Sequence, residues 1–271
     1  MFSFERRYIF TGRLTLTTAL HIGGGRGTLT PTDSPIVRGP DLIPFIPGSS
    51  LKGSFRSTVE KLTAVVGLRT CALMEDAECP GAQGKVQKAF NQRREEESWS
   101  EQQLIDALDE ELCHTCKLFG STYQASRIYF DDLPLIQWAG TTQIRDGVAI
   151  DRDSEKAVDK LKYDYEVVPP GSSFNFRVTL EDSSDADLAL ACIGLTEFAS
   201  GFGGVGGLRS RGLGRCILEE VKVHEIDLRE GATRSERLRR YLVGRTLDEK
   251  MATLPDANAF FAERIGAVLE G

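Results

Sequence analysis

The chain reads as an α+β protein whose core runs strand, helix, strand, strand, helix, strand. Three observations predict this. Tyr8 to Thr18 alternates, with Phe10, Leu14 and Leu16 on one face, as a half-buried strand does. Leu51, Phe55, Val59, Leu62 and Val66 recur at three- and four-residue steps, the mark of a helix with one buried face. Phe174, Phe176, Val178 and Leu180 alternate as another strand, followed by a helical run through Leu188, Leu190, Ala191, Leu195 and Phe198 and a last strand, Cys216 to Ile226. That order is the split βαβ, ferredoxin-like pattern. Many activities use this scaffold, so function must be sought in particular residues.

The first strand leads into His21-Ile22-Gly23-Gly24-Gly25-Arg26-Gly27, too glycine-rich for a regular element. Glycine permits close approach to a ligand and Arg26 offers a phosphate contact, although a simple connector fits equally well. Asp33 lies in Thr30-Pro31-Thr32-Asp33-Ser34-Pro35, a context in which aspartate is ordinarily a turn former. Pro44 and Pro47 hold the next segment extended. Gly48 permits a bend, and Ser49 or Ser50 is expected to cap a helix reaching about Val66. Lys52 and Arg56 fall off its apolar stripe. A helix start with free N–H groups, two hydroxyls and two cations is a phosphate site. An ordinary capped helix with solvated charges accounts for the same residues.

Arg127 to Leu135 reads as a short strand ending at Pro134. Residues 141–160 are polar and charged, with a turn signal at Asp146-Gly147, and fit a protruding hairpin or loop. Tyr163 to Val168 is extended, Pro169-Pro170-Gly171 turns the chain, and Asp185 is the expected cap of the second core helix. Seven glycines then fall within residues 201–214, with Arg209, Arg211 and Arg215 among and after them. The run lacks the Gly-Lys-Ser/Thr ending of a nucleotide P-loop and follows a helix, which excludes that reading. Free backbone N–H groups with arginines suit a sugar–phosphate backbone. Two short helices, about Arg234–Val243 and Asn258–Leu269, complete the tail.

The 271 residues are 41% hydrophobic and 27% charged, a globular composition with no apolar run of the roughly 20 residues a membrane span needs. No export signal is visible at Met1 to Arg7, so a cytoplasmic protein is expected. The formal charge of −7 argues against a polyanionic partner, but its distribution argues for one. Residues 1–70 carry nine Lys/Arg against four Asp/Glu, whereas residues 71–112 carry four against eleven. A polyanion feels the local field.

Residues 71–119 differ in character from the rest. Two helical patches, Gln87 to about Trp99 and Gln102 to Leu112, lie between Cys71…Cys79 and Cys113-His114-Thr115-Cys116. Leu104, Ile105, Leu108 and Leu112 share one face of the second patch. Four thiolates suit a tetrahedral structural zinc, with His114 as a substitute ligand. That reading is preferred to a redox Cys-x-x-Cys, whose βαβ context is missing, and to unliganded thiols. Cys192 and Cys216 fall in apolar runs and belong in the core.

Ile46-Pro47-Gly48-Ser49-Ser50-Leu51-Lys52-Gly53 with Arg56, then Leu118-Phe119-Gly120, then Arg145-Asp146-Gly147-Val148-Ala149-Ile150-Asp151, then the late glycine-rich loop, occur in an order that resembles the RAMP superfamily. More narrowly, they resemble the backbone subunit of type III CRISPR effector complexes, over roughly residues 8–226. The resemblance implies a modified ferredoxin-like (RRM-like) palm over 1–226, a thumb at 141–165, a zinc-stapled insertion at 71–119 and a helical tail at 227–271. It implies antiviral defence by a filament of copies on a CRISPR guide RNA, with other effector subunits, and no membrane. Asp33 becomes the candidate catalytic residue for cleaving target RNA with a divalent cation such as magnesium. His21, Arg26, Ser49, Ser50, Lys52, Arg56, Arg145, Gly204, Gly206, Arg209 and Arg211 become RNA contacts, and Cys71, Cys79, Cys113 and Cys116 the zinc ligands. The same scaffold without cleavage, or a guide-processing nuclease using His21 as general acid–base, are the alternatives.

Overall fold

The computed structural model describes residues 5–25, 32–71, 79–138, 140–150, 152–153 and 157–270. Arg26 lies outside them. In chain order the strands are β1 (Arg6–Leu16), β2 (Phe45–Ile46), β3 (Ile128–Phe130), β4 (Leu133–Gln137), β5 (Gln143–Ile150), β6 (Ala157–Val167), β7 (Ser173–Glu181), β8 (Cys216–Asp227) and β9 (Ala252–Thr253). The helices are α1 (Gly48–Thr63), α2 (Lys85–Glu96), α3 (Glu101–Glu111), α4 (His114–Phe119), α5 (Asp185–Ala199), α6 (Arg234–Val243), α7 (Leu247–Lys250) and α8 (Ala257–Leu269).

The main sheet runs β2-β4-β7-β1-β8-β9, with β3 also on β7, and every pairing is antiparallel. β3 and β4 pair with successive halves of β7, so together they act as one interrupted strand. It therefore does not end at Pro134, which sits inside β4 opposite Phe45. The break at Asp131-Asp132 has a use: Asp132 Oδ1 accepts the Gly48 N–H at 2.7 Å, at the start of α1.

Alternation sorts the central strand as expected. Tyr8, Phe10, Leu14 and Leu16 are buried on the face covered by α1, α5 and α8. Ile9 points the other way, into a smaller cluster with Ile226, Leu228 and Met251, against which Leu238, Tyr241 and Leu247 of the tail pack. The tail thus covers both faces of the sheet, and β9 extends it beyond β8. The short α7 and β9 carry no periodicity long enough to be predicted.

α1 and α5 meet at Phe55, whose ring centroid lies 5.6 Å from that of Phe198. Gly194 makes this approach possible, because a Cβ there would collide with the Phe55 ring. Two caps differ from expectation. α1 begins at Gly48 behind Pro47 with no side-chain cap, so Ser49 and Ser50 lie in its first turn, and it ends at Thr63 rather than Val66. α5 is capped by Ser184 in a reciprocal box with Asp187, not by Asp185. Asp187 is the better placed acid because it is buried and also meets Arg127 at 2.5 Å.

β5 and β6 form a separate two-stranded antiparallel sheet, Gln143 opposite Val167. Asp146-Gly147 is not its turn. Gly147 sits mid-strand opposite Tyr163, whose ring occupies the space a Cβ would need. An aromatic side chain covering a strand glycine offsets the packing that glycine lacks.

Gly194→Ala should lower stability by about 1–3 kcal/mol through overpacking against Phe55. Chemical denaturation of the variant beside the parent chain checks this.

Candidate nucleic-acid interface and metal centre

Four segments far apart in sequence are joined at His21. Leu20 pairs with Val168, Gly23 with Ile36, and Ser34 with Tyr165. The His21 ring is buried. Its Nδ1 donates to the Glu166 carbonyl at 2.7 Å, and its Nε2 lies 3.3 Å from Ser34 Oγ. The His21 carbonyl accepts the Gly207 N–H at 2.9 Å, and Gly206, at φ +83°, packs against the same carbonyl. Both ring nitrogens are engaged in holding loops, so the ring is not presented as an open general base.

Asp33 is exposed on the loop beside this junction. Its N–H donates to Asp164 Oδ1 at 2.7 Å, and its Oδ2 accepts the Asp164 N–H at 3.1 Å. One residue further along, Ser34 O accepts the Glu166 N–H at 3.0 Å. The Glu166 carboxylate accepts from the Ile36 amide, Thr142 and Arg38. Desolvation pushes Glu166 towards protonation, but the bonds from Thr142, Ile36 and Arg38 outweigh it and hold the carboxyl below its ordinary value. Residues 33–38 are therefore tied to the base of the hairpin. Asp164 and Glu166 escaped the sequence reading because nothing local links them to a loop 131 residues away.

The glycine-rich run is more ordered than its composition implies. Gly204 bridges to Arg215, Val205 N–H reaches the Gly214 carbonyl at 2.8 Å, and Arg209–Arg211 form a short 3-10 turn. Arg209, Arg211 and Arg215 are exposed, and Arg211 donates to the Tyr163 hydroxyl on β6. Arg145 lies opposite Tyr165 at the base of the hairpin. The middle of α1, at Phe55, packs on the C-terminal half of α5, at Gly194 and Phe198, from which the glycine loop departs.

Of the four residues expected to bind phosphate on α1, Lys52 is half-buried. Partial burial and then the neighbouring Arg56 charge hold its ammonium below the usual lysine range. An anion nearby would offset the repulsion between the two cations. Ser49 is exposed and Ser50 partly so. Arg56 turns away, pairing with Glu60 at 2.8 Å and lying over Phe119. One Gly48 donor is taken by Asp132, which lessens the anion-binding capacity of the helix start.

The insertion closes on its cysteines. Cys71, Cys79, Cys113 and Cys116 are all buried, with Sγ atoms within 4.8 Å of one another. None is in a disulfide. Four thiolates at about 2.3 Å from one tetrahedral ion would stand about 3.8 Å apart, inside that limit, so the donor set fits a metal. The Gly81 and Cys113 amides donate to Cys79 Sγ, and Arg56 lies 3.7 Å from Cys116 Sγ. Hydrogen bonding from Cys116 holds the Cys113 thiol below its ordinary value, and the same contact raises that of Cys116. His114 is not part of the set: its Nδ1 accepts the Arg69 N–H at 3.0 Å. Within α3, Leu108 packs on this cluster beside buried Leu112, whereas Ile105 is 51% exposed. Cys192 and Cys216 are core residues, burial pushing the Cys216 thiol to about 12.

The sequence of this chain can be set beside those of known proteins. A profile of the RAMP superfamily covers residues 13–217. The protein named CRISPR system Cms endoribonuclease Csm3 in Methanothermobacter thermautotrophicus is 25% identical over 252 residues, 82% of this chain and 87% of that protein. The protein of the same name in Mycobacterium tuberculosis is 29% identical over 186 residues, 64% and 63% of the two chains. A shorter alignment, with the Enterococcus italicus protein of that name, reaches 49% identity over 53 residues, a span that is 25% of that protein. The chain belongs to the RAMP superfamily, and these similarities mark it as a type III CRISPR RAMP subunit. Among the described residues, no helix is long and apolar enough to cross a membrane.

Glu166→Ala should cost about 2 kcal/mol at neutral pH, since it removes charge-assisted hydrogen bonds. The folded-state pKa is depressed, so this contribution is present above the ordinary value of 4.5 and is lost as pH falls below it. Urea denaturation of both chains at pH 7 and pH 3 should show the gap closing.

Proposed function

We propose that this chain is a guide-RNA-binding backbone subunit of a cytoplasmic type III CRISPR effector complex, and that Asp33 cleaves guide-paired target RNA within it. The observation that carries this reading is the junction at His21. It gathers the Asp33 loop, the hairpin base and the arginine-bearing glycine loop, the three parts the family resemblance assigns to cleavage, duplex wedging and guide binding. The order β8, β1, β7, β3/β4 supports a ferredoxin-like palm, and the β5–β6 hairpin supports a thumb over 141–165. His21, Ser49, Ser50, Lys52, Arg145, Gly204, Gly206, Arg209 and Arg211 are proposed to line the RNA path, with Arg26 and Arg56 as further family-implied contacts. The engagement of Arg56 with Glu60 makes Lys52 the stronger phosphate contact on α1.

Such contacts grip phosphates and leave sequence to base pairing. The nucleophile comes from the RNA: a 2′-hydroxyl oxygen attacks the adjacent phosphorus, a cyclic phosphate forms, and the bond to the 5′-oxygen breaks, that oxygen taking a proton from water to leave as a hydroxyl. Asp33 would take up the 2′ proton or orient its donor. A divalent cation such as magnesium, held by the hard carboxylate oxygens of Asp33, would neutralise charge on the scissile phosphate. Cys71, Cys79, Cys113 and Cys116 are proposed to hold a structural zinc that staples the insertion.

One observation favours a non-cleaving scaffold: Asp33 Oδ2 already accepts a backbone N–H, as a purely loop-shaping aspartate would. The engaged ring of His21 removes support from a guide-processing nuclease.

In the assembled complex, Asp33→Ala should abolish target cleavage while leaving guide and target binding intact. Cleavage persisting at every site would make the scaffold reading correct. Lys52→Ala should weaken guide binding and reduce the slope of log affinity against log salt by about 0.7, one lost single-strand phosphate contact, read from titrations at several salt concentrations. Protein purified without chelator should carry one zinc per chain and lose it in Cys113→Ser, as elemental analysis would show.

A further inference from the structure

We infer that Asp164 is the positioning residue for Asp33, so that the hairpin strand aims the cleaving carboxylate. The inference rests on Asp33 being the cleaving residue. Asp33 stands on an exposed loop, where its backbone and χ angles would otherwise be free to vary. Asp164 removes that freedom from both ends. Its Oδ1 accepts the Asp33 N–H at 2.7 Å, which fixes the backbone, and its own N–H donates to Asp33 Oδ2 at 3.1 Å, which fixes the side chain. With Oδ2 held, the second oxygen has a defined direction.

The pair does not stand alone. The parallel bridge of Ser34 to Tyr165 and the Glu166 N–H on Ser34 O continue the contact, so the loop lies against β6 like a short added strand. Glu166 then anchors Ile36 and Arg38. β6 also reaches the glycine loop, through Tyr163 and Arg211. Residues 163–166 therefore touch, one after another, the arginine loop, Asp33, Ser34 and the loop's far anchor. Asp164 acts through Asp33 by hydrogen bonding: the oxygen that faces the loop is already spent on an amide. Losing such alignment costs a reaction up to about a hundredfold in rate without weakening substrate binding.

The test uses the assembled complex with its guide, in single-turnover cleavage of target RNA. Asp164→Ala should slow cleavage about ten- to a hundredfold with target affinity unchanged. Asp164→Asn, whose amide oxygen still accepts the Asp33 N–H, should restore most of the rate with an unchanged magnesium requirement. Asp164→Ala cleaving at the parent rate while Asp33→Ala is inactive would overturn the positioning role alone. So would an Asp164→Ala defect matched by an equal loss of target affinity or assembly, or an Asp164→Asn variant as slow as the alanine with a raised magnesium requirement. Asp33→Ala cleaving normally would overturn the reading of Asp33 itself, and this inference with it.

Discussion

The arrangement depends on one demand: irregular backbone packed at the hairpin base must find hydrogen-bond partners. Residues 19–24 and 33–38 belong to no regular sheet, yet their groups are paired. Leu20 exchanges bonds with Val168, Val37 donates to Ile22, Gly24 to Pro35, and Gly214 to Ala19. His21 closes the set because its ring and carbonyl serve three different segments at once. Replace that histidine and the Glu166 carbonyl and the Ser34 hydroxyl lose their partner together, while the Gly207 bond to the backbone carbonyl stays.

The sheet supplies the fixed frame. β1 is central and paired on both sides, so its C-terminal end delivers Ala19 to His21 at a defined place. The helix layer sets the other boundary. Phe55 stacked on Phe198 fixes the middle of α1 against the end of α5, from which the glycine loop leaves.

Charge is distributed by the same logic. At the junction Arg38 is paired with Glu166, and elsewhere Arg127 is paired with the buried Asp187. Partial burial and the neighbouring Arg56 charge hold the Lys52 ammonium below the usual lysine range. Arg56 links α1 to the cysteine cluster, so the insertion is coupled to the core through a group that has already found its counter-charge.

The core was legible in the sequence because burial imposes its period locally: Phe10, Leu14 and Leu16 in a strand, Leu51, Phe55 and Val59 in a helix, Phe174 to Leu180 in another strand. The four cysteines were legible because a thiol set is rare enough to notice at any separation. Asp33 could be singled out only through its motif order. Its partners could not, since a bond between residues 33 and 164 leaves no trace in either neighbourhood. The cap at Ser184, the use of Asp132 at the start of α1 and the strand position of Asp146-Gly147 were likewise settled by neighbours in space. Period and composition act over a few residues and determine elements. Which carboxylate meets which amide depends on how those elements pack, and only the tertiary structure decides it.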